Sequence, residues 1–157
     1  MSDPKKFAVQ LLARQAIREL KARYFRFMDE RNWHGMRAVF TADAAMDMRC
    51  EMQRLVLAGL PVKEEEGLIQ GREAIIAAMS HALAGTITVH HGHMPEIEIV
   101  SDHVARGIWA MEDIIRNATS GRHLHGYGHY HEQYVRDDEG HWRIESLRLT
   151  RLHVEVS

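Results

Sequence analysis

The strongest constraint on this chain lies in its second half. From Ile87 onward four strand-like segments, Ile87–Val100, Val104–Arg116, Gly126–Arg136 and His141–Val156, follow one another with short turn-forming stretches between them. Joined through Ser101-Asp102 and Asp137-Asp138-Glu139-Gly140, such strands pair as an antiparallel meander, because a parallel pairing needs a crossover of a dozen or more residues. Asn117 to Gly121 makes a wider loop between the middle two. Long strands twist, so a meander of this kind curves, and its apolar face needs a cover.

The first half supplies that cover. Between Lys6 and Glu30 the residues Ile17, Leu20, Tyr24, Phe27 and Met28 recur at three- and four-residue steps, which predicts a long amphipathic helix. Asn32 is placed to cap a second, shorter helix with Trp33, Met36, Val39 and Phe40 on its buried stripe. Ala45–Met48 and Leu55–Leu57 read as strand material ahead of Gly59 and Pro61, and Val62 to Gly71, with three consecutive glutamates, reads as the most mobile stretch. A third helix is expected from Arg72 to about Leu83, with Ile75, Ile76, Met79 and Leu83 facing inward and Gly85 as its stop. Helices first and a meander last predict an α+β fold: one cone-shaped domain over residues 1–157, with N-terminal helices packed on a strongly curved antiparallel sheet. The open end of a cone is a natural pocket.

At 157 residues and 45% hydrophobic content the chain can close a core without disulfides or a structural metal. Its 20 Lys+Arg against 22 Asp+Glu, with no basic run, argue against a nucleic-acid partner. Cys50, the single cysteine, has no internal partner, which fits a reducing, cytoplasmic setting. Charges every few residues in the first twenty leave no apolar stretch for a signal peptide or a membrane span.

Twelve histidines stand out, since imidazole both takes and gives a proton near neutrality. His34, His81, His103, His141 and His153 sit beside charged or turn-forming residues and read as surface groups. Other polar residues fall where the fold wants apolar ones. Tyr24 lies on the core stripe of the first helix, and Asp29 lies on its flank near the helix end. His90, His91 and His93 share one strand whose Gly92 and Pro95 suggest a bulge, so alternation does not say which of them points inward. Glu112 and Asp113 interrupt an apolar strand, and a carboxyl buried there needs a partner or a proton.

A tyrosine, two carboxylates and a histidine around one apolar pocket are the parts of an enolising site. A histidine oriented by a carboxylate removes a proton next to a carbonyl. A tyrosine hydroxyl and a carboxylic acid kept neutral by burial donate to the oxyanion that develops. If a hydroxyl sits β to that carbonyl it leaves as water, without a cofactor. Two rival readings exist. His91/His93, His123/His125 and His129/His131 are i,i+2 pairs that could ligate a metal in a metal-dependent enzyme, although no HExxH or cysteine motif accompanies them. The chain could also be a non-catalytic small-molecule-binding or accessory subunit.

The stretches AIRELKARYFRFMDERNW, VHHGHMPEIEI, GIWAMED and GHYHEQYVRDDEGHWRI resemble, in order and spacing, the SnoaL-like, nuclear transport factor 2-like superfamily, and within it most nearly the bile-acid 7α-dehydratase group. The resemblance implies a lyase, a dehydratase acting on a hydrophobic steroid-, polyketide- or aromatic-type molecule. It implies catalytic roles for Tyr24, Asp29, His90 and Asp113, with His90 as general base, Asp29 as its orienting partner, and Tyr24 and Asp113 nearest the oxyanion. It implies no cofactor and no metal, and a homo-oligomer, trimeric or else dimeric. Residues 49–71 are longer than expected for the steroid dehydratases, so the substrate is expected to differ if those residues line the pocket mouth.

Overall fold

A computed structural model describes residues 4–57, 59, 61, 63 and 67–157. The first helix, α1, runs over Pro4–Asp29 and buries Ile17, Leu20, Lys21, Tyr24, Phe25 and Met28. It stops where Arg31 adopts φ 59°, a left-handed conformation that turns the chain out of the helix. The Asn32 side chain then accepts from Gly35 N at 2.8 Å and caps a single turn, α2 at Trp33–Met36. The second helix is shorter than its periodicity suggested. Val39 and Phe40 stay buried, but Phe40 opens strand β1, Phe40–Asp47.

The expected strand at Leu55–Leu57 is helical instead. Asp47 Oδ1 accepts from the backbone N–H of Arg49 at 3.1 Å and starts α3, Arg49–Leu57. Three apolar residues in a row do not distinguish strand from helix. What decides is Glu51 in the first turn of α3, whose carboxylate is drawn inward by a distant arginine. Of the stretch expected to be mobile, residues 62 and 64–66 lie outside those described. Leu68–Gln70 form a short strand, β2, and α4 follows over Arg72–Ala82 with Ile75, Ile76 and Met79 buried as anticipated. Gly85, at φ 68°, ends that segment and turns the chain into the sheet.

The four long strands are β3 Thr86–Ile99, β4 Val104–Asn117, β5 His123–Arg136 and β6 Trp142–Val156. β5 begins three residues before the expected Gly126, because His123 still pairs with Arg116. The six-stranded sheet has the order β2-β1-β6-β5-β4-β3. Every pairing is antiparallel except that of β1 with β6, which is parallel and brings the N-terminal half to the edge of the meander. Bulges at His93/Glu96, Tyr127/Gly128 and Gln133/Tyr134 bend the sheet around α1.

One face of the meander is the core. Ala105, Trp109 and Met111 from β4, Tyr130 and Tyr134 from β5, and Ile144, Leu147 and Leu149 from β6 are buried against the helices. Each large side chain among them contributes about 1.5–3 kcal/mol. No helix among the described residues is long and apolar enough to cross a membrane.

Candidate active site

Strand parity, fixed by this packing, settles which histidine turns inward. Thr88 and His90 are buried against α1, while His91 and His93 face the other side of the sheet. The side chain of Asp29, the last residue of α1, meets His90 there. Asp29 Oδ1 accepts from His90 Nδ1 at 2.6 Å, and Asp29 Oδ2 accepts from the His90 backbone N–H at 3.0 Å. The Thr88 hydroxyl donates to Oδ1 as well, at 2.8 Å. Burial pushes the Asp29 carboxyl up, but the donors from His90 and Thr88 outweigh it and hold the group below its ordinary value.

With Nδ1 committed to Asp29, His90 keeps its proton on that side and turns the Nε2 lone pair outward from the dyad. Among the described residues no hydrogen bond occupies Nε2. The ring lies nearly parallel to Phe25, 13° between planes and 6.4 Å between centroids, which limits its rotation.

Sequence patterning gave no sign of the brace behind this dyad. The Arg31 guanidinium donates to Met28 O at 2.6 Å, Thr88 Oγ1 at 2.8 Å and Thr86 O at 2.7 Å. It ties the end of α1 to β3 and leaves the Thr88 hydroxyl only Asp29 as its acceptor. The positive φ of Arg31 is therefore held by interactions that also set the Asp29–His90 geometry.

Tyr24 points into the interior, as its place on the helix stripe predicts. Its ring packs edge-on against Phe25, Phe40 and Tyr130 at centroid distances of 5.5, 6.0 and 6.0 Å. Burial raises its phenol far above the ordinary value, and the negative charge of Glu132 adds to this, against a hydrogen bond with Tyr130 that lowers it. Both hydroxyls are thus kept protonated, and since one donates to the other, one O–H of the pair is left to donate onward. Beneath them the Lys21 ammonium sits 3.7 Å from the Tyr130 ring centroid and 4.0 Å from that of Tyr24, bonded to Glu132 Oε1 at 2.5 Å. Burial pulls Lys21 down to about 8, with Glu132 offsetting part of that shift. Glu132 also accepts from the Tyr134 hydroxyl, which in turn accepts from Trp109 Nε1 at 2.8 Å. Lys21 was legible in retrospect, since it stands four residues after Ile17 and three before Tyr24 on the same stripe.

Asp113 lies directly across from His90 in the β3–β4 register, both facing inward. Residues so paired have Cβ atoms about 4.5–5.5 Å apart, so all four residues singled out from the sequence converge on one region. Of the partner or proton that a buried carboxyl needs, Asp113 has the partner. Its two oxygens accept from Arg151 Nη1 at 2.8 Å and Nη2 at 2.7 Å, and Arg151 Nε donates to Glu51 of α3. One guanidinium thus joins two carboxylates and links β4, β6 and α3. Both oxygens of Asp113 are therefore engaged by N–H donors. Arg151 had one sequence signal, a cation on the inward parity of Leu147 and Leu149. Gly126, opposite Asp113 on β5, is required by the same pair: a Cβ there would lie 2.4 Å from both Arg151 Nη1 and Asp113 Oδ1.

The three histidine pairs do not join this site. His91, His93, His123, His125, His129 and His131 alternate with inward residues and lie on the outer face of the sheet. Of the described cavities, one of about 1130 Å³ runs along the first turns of α1 beside Ile99 and Trp142, and one of about 690 Å³ lies near Arg106 and His131. Neither is lined by Tyr24, Asp29, His90 or Asp113.

Comparison with known proteins agrees with this architecture. A hexachlorocyclohexane dehydrochlorinase, LinA type 2, superposes with a TM-score of 0.77 at 19% identity, over 96% of this chain and 92% of that one. A protein assigned by name to scytalone dehydratase, from Novosphingobium aromaticivorans, gives 0.77 and 19% over 95% and 90%. Rv3472 from Mycobacterium tuberculosis, of unknown function, gives 0.69 and 23% over 90% and 77%. At these identities the likeness establishes the shared fold. A family model described as a SnoaL-like domain matches residues 9–148, from the first helix into the last strand, and on that match the chain belongs to the SnoaL-like domain family.

Proposed function

We propose that this protein is a cofactor-independent lyase or isomerase that removes a proton next to a carbonyl of a hydrophobic small molecule, with elimination of a β leaving group as its most direct outcome. The observation that carries the reading is the Asp29–His90 dyad, a carboxylate 2.6 Å from Nδ1 of a buried imidazole whose Nε2 makes no hydrogen bond to a described residue. In this reading Nε2 takes the α-proton and the imidazolium formed is stabilised by Asp29. The electron pair of the broken C–H bond moves into the enolate, whose oxygen accepts from the Tyr24 hydroxyl, itself the acceptor of the Tyr130 hydroxyl. Collapse of the enolate forms the C=C bond and breaks the bond to a β-hydroxyl, which leaves as water with the proton returned by His90. Arg151 and Asp113 hold the walls of the site rather than donate to the oxyanion.

The names of the structural relatives support this chemistry. A dehydrochlorinase and a dehydratase both eliminate a small molecule from a carbon skeleton. A steroid substrate is the specific form of the proposal. A 3-oxo-Δ4 7α-hydroxysteroid is incubated with wild type and with His90→Ala, and ultraviolet absorbance follows the extended conjugation that loss of water creates. Turnover that disappears in His90→Ala supports both the reaction and its base. If wild type turns over neither the steroid nor any member of a panel of β-hydroxy ketones, or if His90→Ala retains activity, the enolising reading fails.

A further inference from the structure

Away from the dyad, α1 outruns the sheet it covers. The helix lies antiparallel to β3, with Asp29 against His90 and with Arg14 Nε donating to Ile97 O at 3.2 Å. Continued in that direction, the turns before Arg14 pass the end of β3 at Ile99, and none of Pro4–Ala16 is buried. They are nevertheless rich in apolar residues, Val9 being 51% exposed and Leu12 70%. Between this overhang and the hairpin ends of the sheet, at Ser101–His103 and Gly140, lies the larger described cavity, of about 1130 Å³. We propose that this groove binds a long-chain carboxylate, with its hydrocarbon chain along α1 and its head among the cations of the rim.

The floor suits hydrocarbon. Ala13 and Ala16 line it from α1, Ile99 from β3 and the buried Trp142 from β6. Residues three apart share one side of a helix, so two alanines there leave space that larger side chains would fill. From Ala16 back to Lys5 the helix rises about 16 Å, at 1.5 Å per residue, which gives an extended chain a track to lie along. Apolar lining with a few convergent polar groups is the usual form of a small-molecule site.

The rim decides the charge of the occupant. Lys5, Lys6, His103 and Arg136 line it against a single carboxylate, Asp102. Arg136 Nε donates to Gly140 O at 3.0 Å, and among the described residues no carboxylate pairs with the rest of its guanidinium or with Lys6. A guanidinium is the side chain best matched to a carboxylate head. The helix itself adds to the field, since Pro4–Arg18 carries Lys5, Lys6, Arg14 and Arg18 and no acidic residue. A second copy of the chain would set these cations against their own equivalents, and like charges in contact oppose association. A membrane surface needs one continuous apolar helix face, whereas Val9, two residues on from Phe7, projects from the opposite side of the helix.

The test does not depend on the enolising reading. Full-length protein is titrated by calorimetry with dodecanoate below its micelle concentration, and with decanoate and dodecyltrimethylammonium for comparison. The expected result is one dodecanoate per chain, bound about tenfold more tightly than decanoate because two more methylenes are buried, and more tightly than the cationic amphiphile. Leu12→Glu places a like charge in the groove and should weaken dodecanoate by about tenfold or more. Leu12 being largely exposed, Tm should not move. Lys6→Gln combined with Arg136→Gln should weaken binding by about 2–30-fold, the worth of two exposed ion pairs. No binding by wild type, an affinity independent of chain length, equal affinity for dodecyltrimethylammonium, or binding untouched by Leu12→Glu would overturn the proposal. So would capture of the protein by phosphatidylglycerol vesicles without binding of monomeric dodecanoate, which would assign the same residues to a membrane surface.

Discussion

Replacing Arg151 with methionine tests the electrostatic centre of the interior most directly. Methionine keeps much of the apolar volume and removes the guanidinium that donates to Asp113 at 2.8 and 2.7 Å and to Glu51. All three side chains are almost wholly buried, that of Arg151 to the point of 2% exposure. Removing one partner of a buried ion pair costs about 3–5 kcal/mol, because the charge left behind loses its counter-ion but does not regain water. Here two carboxylates are stranded together, so the upper part of that range is expected. For a chain of this size each kcal/mol lowers Tm by about 2–4 °C, giving a fall of about 6–20 °C. Urea denaturation gives the same quantity independently, as a lower midpoint at constant slope. The triple variant Arg151→Met, Asp113→Asn, Glu51→Gln removes the stranded charges and should recover most of the loss. A loss below about 1 kcal/mol, the value of an exposed pair, or a triple variant no more stable than the single one, would refute the reasoning.

Four further outcomes follow from the same geometry. His90→Ala should lower kcat/KM on any substrate found by about 10²–10⁴-fold, the usual share of general-base catalysis, and Tyr24→Phe should reduce kcat more than it changes KM; an unchanged kcat in either would remove that residue from the mechanism. Gly126→Ala should destabilise by about 1–3 kcal/mol through overpacking, since the new methyl would meet Arg151 and Asp113 at 2.4 Å; a urea midpoint equal to wild type would show that the pair can shift. Asp29 is held below its ordinary value in the folded chain, so its contribution to stability is complete above the unfolded value of about 3.9 and is lost as pH falls through the folded one. Asp29→Asn should therefore flatten the acid limb of stability against pH, and parallel curves for variant and wild type would contradict this.

Much of the architecture was legible because it rests on local periodicity. The stripe Ile17, Leu20, Tyr24, Met28 could bury itself only as a helix, and the turn chemistry at Ser101-Asp102 and Asp137–Gly140 left the long segments no pairing except a meander. The inward direction of Tyr24 follows from the same stripe. Where the reading went astray, the deciding contact was distant in sequence. Leu55–Leu57 became helix beside Glu51, whose carboxylate is held by Arg151 a hundred residues away, and Phe40 left its helix to pair with Ile144.

What the sequence determined by itself, then, is the order of helices and strands, the class of fold, and the presence of polar groups, Tyr24, Asp29, His90, His91, His93, Glu112 and Asp113, on or beside stretches that the fold wants apolar. The tertiary structure alone decided that His90 rather than His91 or His93 turns inward, that Asp29 orients it, that Asp113 is held by Arg151, and that Glu112 is flanked by His91 and His125 on the opposite face. The division has a physical cause. Backbone propensity and hydrophobic period act over a few residues and are written in the order of the chain. The partner of a buried charge is chosen by strand register, bulges and helix docking, which bring together residues 61, 38 and 100 positions apart.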